Sequence, residues 1–338
     1  MNQIKPLDQV LSIEADAHNQ ITKVVNKFGS RGSILYRLKE FSSSIPDFRR
    51  SGKGNIRHRL DGIIMLIILG RASGCIGRAQ IMEFGKYNLD KFRKMGMLRN
   101  GVPSEATLCR VDNGIDELAM ADRMQRFVEV FHGELLKNDC GKEIICVDGK
   151  AERGTVQDNG RSPDIVSAYS YNTGITLATE ACCEKSNEIK AIPRLIDKIN
   201  ISGKIVTADA MSMQKDIIDR IRENGGDFLI ELKANQPSLR YGVEDRLKEC
   251  TPALGSLVRN HWSIESMHWA LDFNLLQDRI KRKSAKAARN LDSIQRIVHS
   301  VFSIWKRLRK KRSDKKKGMA ELMRYVSMSF TRLLRFLS

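Results

Sequence analysis

Glu143-Ile144-Ile145-Cys146-Val147-Asp148-Gly149 is the stretch that decides how this chain folds. An apolar run ends there in an acid and a glycine. It is too short for a globular helix and is closed by a turn signal, so it reads as a buried β-strand. Working outward, Lys204-Ile205-Val206-Thr207-Ala208-Asp209 repeats the pattern, again with a terminal aspartate. Between them, strand-like segments are expected around Asp164–Tyr171 and Thr176–Cys183, joined by a hairpin turn at Asn172-Thr173-Gly174. A helix follows near Ile192–Ile199, a second from about Ser212 to Asn224, and then a strand at Phe228–Lys233. The order β-β-β-α-β-α-β predicts an α/β fold whose sheet opens antiparallel and continues through helical crossovers. Ligands of such sheets gather at the carboxyl ends of the strands, where Asp148 and Asp209 are expected.

An acid after a strand is often only a turn or cap residue. Two of them, each behind an Ile/Val-rich strand, fit a metal site better, because magnesium prefers carboxylates that leave positions for water and phosphate. Two such ions could activate the attacking oxygen and neutralise the leaving one in phosphoryl transfer. Glu265 is the candidate third carboxylate. It lies in a helix expected over Arg259–Asp272, where His261, Glu265, His268 or Trp269, and Asp272 share one face. A buried tryptophan pair with an accidental acid is the competing reading. His261 and His268 lack the His-Glu-x-x-His zinc pattern; they could touch phosphate, orient Glu265, or be structural. Met211 and Met213 beside Asp209 read as core packing, since a thioether is a poor magnesium donor.

The 338 residues allow two domains, and 41% hydrophobic content with 7 prolines marks a folded chain. The formal charge of +18 points to a polyanionic partner. Most of the excess lies in one place: Arg279–Lys317 holds 16 Lys/Arg against Asp292 and Asp314, or 16 − 2 = +14. The longest apolar run, Ile63–Leu69, is too short to span a bilayer, and the N-terminus has no apolar signal core. The 7 cysteines show no CxxC pair, which fits reduced thiols in a cytoplasmic protein.

Residues 1–40 read as a polar leader, and about 45 to 135 as helical throughout. Within that stretch Ile63–Leu69 forms a buried helix entered at Arg59-Leu60-Asp61, and Ser104 caps another.

Several long motifs resemble bacterial insertion-sequence transposases of the H-repeat-associated (ISAs) group, within the Asp-Asp-Glu superfamily. They are Val147-Asp148-Gly149-Lys150 with Arg153-Gly154, Glu184-Lys185-Ser186-Asn187-Glu188-Ile189, and Thr207-Ala208-Asp209-Ala210-Met211. Lys233-Ala234-Asn235-Gln236 and Asn260-His261-Trp262-Ser263-Ile264-Glu265 with His268-Trp269-Ala270-Leu271-Asp272 follow in order. Upstream, Ile45-Pro46-Asp47-Phe48-Arg49-Arg50, Glu83-Phe84-Gly85 and Val102-Pro103-Ser104 look like the helical domain that precedes the core in this family.

The resemblance covers about residues 40 to 300. It implies a helical N-terminal domain (41–140) and a ribonuclease H-like core (141–300), set between the polar leader (1–40) and a helical, basic C-terminal tail (301–338) that composition marks. It further implies that Asp148, Asp209 and Glu265 are the catalytic acids, holding Mg²⁺ or Mn²⁺. Lys150, Arg153, Lys185, Asn187, Lys233, Asn235, Gln236, His261, Trp262 and His268 would support the site or touch DNA. The implied reaction is hydrolysis at the element's ends and attack of the freed 3′-hydroxyl on target DNA. The implied partners are terminal inverted repeats, target DNA and further copies of the chain, in a bacterial cytoplasm at the nucleoid, with no membrane. One departure stands out. Family members carry a long strand-rich insertion before the His-Trp-x-Ile-Glu motif, whereas here the connecting region (237–260) is short. The alternative is an internally deleted, catalytically defective remnant that only binds DNA.

Overall fold

β1 (Ile144–Ala151) is almost wholly buried, which is why its apolar residues do not alternate with polar ones: both faces are covered. The computed structural model describes residues 32–50, 56–137, 141–155, 162–182, 188–232, 241, 252–282, 284–309 and 311–338. β2 (Asp164–Ser170) runs antiparallel to β1, and β3 (Ile175–Ala181) antiparallel to β2. β4 (Ile205–Ala208) lies parallel to β1 on its other side, and β5 (Asp227–Ile230) parallel to β4. The mixed sheet therefore has the order β3-β2-β1-β4-β5. The expected alternation of strands and helices is observed. One strand end differs: β1 continues past Asp148 to Ala151, because β2 accompanies it over Asp148↔Ser167 through Ala151↔Asp164.

The chain divides into two compact units, Glu117–Met319 and, separately, the described residues up to Asp116 with Ala320–Ser338. Within the first, Ile145 and Val147 of β1 join Val166, Val206 and Ile230 in a core roofed by two helices. These are α7 (Glu188–Ile196) and α8 (Lys215–Glu223), which supply Ile192, Leu195, Ile217 and Ile221. Alternation sends Cys146, Asp148 and Lys150 to the opposite face. There lie α9 (Pro252–His261), α10 (Ser263–Phe273) and the 24-residue α11 (Ala285–Leu308). The Cys146 thiol meets the Asn260 carbonyl at 3.4 Å. α11 packs on α6 (Glu117–Leu136), and Arg289 grips Glu117 through two hydrogen bonds of 2.7 Å.

Polar ties fix the ends of this sheet. Glu143, just before β1, lies 3.1 Å from His132 Nε2 of α6 and 2.9 Å from Lys204 Nζ at the start of β4. Burial alone would raise the Glu143 carboxyl, but His132, the Ser170 hydroxyl and Lys204 outweigh it and bring its pKa down to about 2. In α11, Arg296 Nε bonds both Asp292 oxygens at 2.8 Å, and Gln277 Nε2 donates to Asp292 at 3.0 Å. Arg296 and Asp292 are both buried, so the hydrogen bonding is what makes their ionisation tolerable.

The helical unit contains α1 (Ile34–Ser44), α2 (Leu60–Ala72), α3 (Arg78–Tyr87), α4 (Leu89–Lys94) and α5 (Glu105–Gly114). α2 is buried along its whole length, as its apolar run predicts, and Ser104 caps α5 by accepting from the Thr107 amide. α12 (Arg312–Lys316) is short and exposed. α13 (Met319–Ser327) and α14 (Phe330–Leu337) follow it, and residues from Ala320 onward belong to the helical unit. Phe330 packs against Phe92 and Phe84 at ring-centroid distances of 5.1 and 5.5 Å. The described residues from Met319 to Leu337 thus form two amphipathic helices.

Candidate active site

The parallel pairing of β1 with β4 ends at Val147↔Ala208. Asp148 and Asp209 are the next residues on each strand. They stand side by side at the carboxyl end, on strands roughly 4.8 Å apart. Asp209 also caps a 3-10 turn, Ala210–Ser212, by accepting from the Ser212 amide at 3.3 Å and its hydroxyl at 2.9 Å. That bond holds one carboxylate oxygen in place. Cap and candidate ligand are therefore roles of the same residue, not competing ones.

A third acid closes on this pair, and the sequence alone does not single it out. Glu188 opens α7, and its carboxyl lies directly over Gly149: a Cβ there would sit 2.1 Å from Glu188 Oε1. Burial raises the Glu188 carboxyl, and the negative charges of Asp148, Asp209 and Asp164 raise it further. The signal in the sequence is the glycine after Asp148, which leaves room for a side chain arriving from the other sheet face.

α9 and α10 bring the last motif onto the opposite face. His261 Nδ1 is 2.9 Å from the Thr207 hydroxyl on β4, and His268 Nδ1 is 3.4 Å from Asp148 Oδ2 on β1. One turn on, Asp272 lies 2.9 Å from Lys150 Nζ, which also reaches Asp278 at 3.4 Å. The face shared by His261, His268 and Asp272 is thus laid across β4 and β1. Glu265 sits between His261 and His268 in that spacing but is exposed, and it pairs with none of the described residues. Burial lowers the pKa of His268, more than its hydrogen bond to Asp148 raises it, so the ring is neutral at neutral pH.

Lys150 is buried among its acidic partners, while Arg153 and Trp262 are exposed. Trp269 and Phe273 stack at 4.7 Å on the outer side of α10. Lys185, Asn187, Lys233, Asn235 and Gln236 lie outside the described residues. Among the described residues, no group of three or more His, Cys, Asp or Glu is gathered closely enough to cage a metal ion. The donor chemistry nevertheless suits a hard divalent cation. Asp148 and Asp209 offer partly exposed carboxylate oxygens, and the crowding of negative charge that disturbs Glu188 is what a cation would relieve. Among the described residues, no helix is long and apolar enough to cross a membrane.

The chain has relatives among known proteins. Residues 39–128 match the family described as DDE_Tnp_1-associated, and residues 139–291 match the transposase DDE domain. Two Escherichia coli K12 proteins, each called "H repeat-associated putative transposase", are similar over most of the matched region. YhhI is 35% identical over 223 residues, covering 64% of this chain and 56% of YhhI. YbfD is 34% identical over 219 residues, covering 64% of this chain and 84% of YbfD. A piggyBac transposase in a synaptic complex with hairpin DNA aligns at a TM-score of 0.48 and 11% identity, over 94% of this chain and 80% of that one. The chain belongs to the bacterial DDE transposase family. It spans 56% of the length of YbfL and YhhI, about half of each.

Proposed function

We propose that this chain is a DNA transposase that cuts at the ends of its element and joins the freed 3′-hydroxyl to target DNA. The observation that carries the proposal is the placement of Asp148 and Asp209 immediately beyond the last paired residues of two adjacent parallel strands. The strand order β3-β2-β1-β4-β5, three strands antiparallel and then two parallel crossovers, supports a ribonuclease H-like core over about residues 141–300. Asp148, Asp209 and Glu265 would hold Mg²⁺ or Mn²⁺. When bound, such an ion lowers the pKa of an attacking water and stabilises charge on the leaving oxygen.

The chain's own residues do the rest. Asp209 is locked in place by Ser212, so its outward oxygen is presented without rotamer freedom. His268, neutral and buried, donates from Nδ1 to the Asp148 carboxylate and keeps it turned toward α10. The Lys150–Asp272 contact fixes α10 lengthwise on β1, which sets the position of Glu265 relative to Asp148. Glu265, exposed on α10, would have to join the two aspartates for the set to be complete. Trp262, Arg153 and the residues around Lys185, Asn187, Lys233, Asn235 and Gln236 would contact the DNA. The protein would act as a homo-oligomer that pairs two ends.

The test is nicking of a duplex carrying the element's terminal repeats in Mg²⁺ or Mn²⁺. Cleavage by the wild-type chain, lost on chelation, is the expected result. Binding without cleavage under either metal would defeat it.

A further inference from the structure

A second basic feature lies away from the acids and is not used by the reading above. A cleft of about 520 Å³ opens where the β2–β3 turn meets the end of α11. Its walls include Tyr169, Asn172, Ser303, Lys306, Arg307 and Lys315, with no acidic residue among them. We propose that this cleft seats a backbone phosphate of bound DNA, forming a phosphate-binding site separate from the candidate active site; the proposal rests on the reading of the chain as a DNA transposase.

Lys306 is half-buried in the cleft, while Arg307 and Lys315 are exposed at its rim. Arg307 is pinned at its rim, donating from Nη2 to the Tyr171 carbonyl at 2.9 Å. Gly174 makes that approach possible. It has a φ of +69, a conformation suited to glycine, and a Cβ there would lie 3.4 Å from Arg307 Nε and from Ser303 Cβ. Tyr169, buried, contributes to the wall, and the Ser303 hydroxyl and Asn172 amide supply neutral donors. Lys306 and Lys315 form no ion pair with any described acid. Lys306 stays in the recess although burial, and then the charge of Arg307, lower its pKa. Two lysines with no acidic partner among the described residues suit an external anion.

A phosphate joined to a polymer fits the position. Tyr169 pairs with Cys146, two residues before Asp148 on β1, and partners across a ladder point to the same face. The cleft therefore belongs to the same sheet face as Asp148, displaced by roughly 7–10 Å along the strand. That is on the order of two or three nucleotide steps of one DNA strand.

The test compares two variants of equal charge in the full chain, K306Q/K315Q in the cleft and K311Q/K316Q outside it. DNA affinity is measured by fluorescence anisotropy on a duplex between 50 and 200 mM salt, after thermal melting shows both variants folded. Each phosphate contact contributes about 0.9 to the slope of log K against log salt. The cleft variant, which loses one phosphate contact, is expected to lower that slope by about 1 and weaken binding at low salt by roughly tenfold. The control should lose less than about threefold, and K306R/K315R should restore wild-type binding. Equal losses in the two glutamine variants would overturn the cleft while leaving DNA binding standing. A wild-type chain that binds no DNA would overturn the transposase reading and the cleft with it. A cleft that binds inorganic phosphate, seen by displacement of Lys306 and Lys315 NMR signals, while the DNA slope is unchanged in K306Q/K315Q, would show a small-anion site and also refute the proposal.

Discussion

Replacing Glu143 by glutamine removes a charge that ties together α6, β1 and β4. The carboxylate is 5% exposed and lies 3.1 Å from His132 and 2.9 Å from Lys204. Its pKa falls from 4.5 to about 2 in the folded chain. The sign follows from linkage: a depressed carboxylate stabilises the fold above its unfolded pKa, and the benefit is lost as pH falls through the folded value. The window here runs from about pH 4.5 down to about 2. The difference of about 2.5 units, at about 1.36 kcal/mol each, gives an upper value near 3 kcal/mol, and partial screening reduces it to about 2–3 kcal/mol. Glutamine keeps the shape but gives up this contribution, and leaves Lys204 with less compensation. E143Q should therefore unfold in urea with about 2–3 kcal/mol less stability at pH 7. For a unit of this size that corresponds to a melting point lower by roughly 4–12 °C. The decisive assay is urea unfolding at a series of pH values from 7 to 2.5. Wild type should lose stability between pH 4.5 and 2.5 more steeply than E143Q. If the two lines run parallel and E143Q is within about 0.5 kcal/mol of wild type at pH 7, the role assigned to Glu143 is wrong.

Other perturbations follow from the same contacts. G149A should change stability by less than about 1 kcal/mol in urea unfolding, because the flexible Glu188 side chain can give way; a loss above about 3 kcal/mol would show that Glu188 is held rigidly there. R296L leaves Asp292 buried without its partner and should cost roughly 3–5 kcal/mol in urea unfolding, whereas R296L/D292L should recover part of that loss. His299, buried, has its pKa lowered to about 4, by burial first and then by the charge of Arg296. Its stabilising effect is complete above pH 6.5 and lost as pH falls toward about 4, so H299L should flatten the pH dependence of stability in that window.

Much of this architecture was legible before any coordinates. Short apolar runs bounded by turn signals marked β1 through β5, and covered sheet faces explain why those runs did not alternate. Asp209 follows the last residue of β4 as those runs predict, whereas Asp148 lies within β1, because β2 accompanies that strand as far as Ala151. What the sequence hid depends on contacts made across long distances in the chain. Nothing near Glu188 announces that α7 would bring it over Gly149. Nothing local says that Lys150 would be buried against Asp272 rather than left exposed for phosphate. The sequence reading did not mark the helix Phe330–Leu337, because the basic run before it dominates the composition of that region. Glu265 is the least determined of the three acids: spacing puts it on the face shared by His261 and His268, and its exposed side chain leaves the final approach to substrate and metal.

The most direct test of the account is metal-dependent cleavage of a duplex carrying the element's ends by wild type, D148N, D209N and E265Q, each checked for folding. Several kcal/mol of charge stabilisation are at stake at such a site, equivalent to roughly 100- to 1000-fold in rate. The account predicts that wild type cuts in Mg²⁺ or Mn²⁺ and that each variant falls by at least that factor while still binding the DNA. Cleavage that survives in folded D148N and D209N, or a wild-type chain that binds the ends and never cuts them, would contradict it.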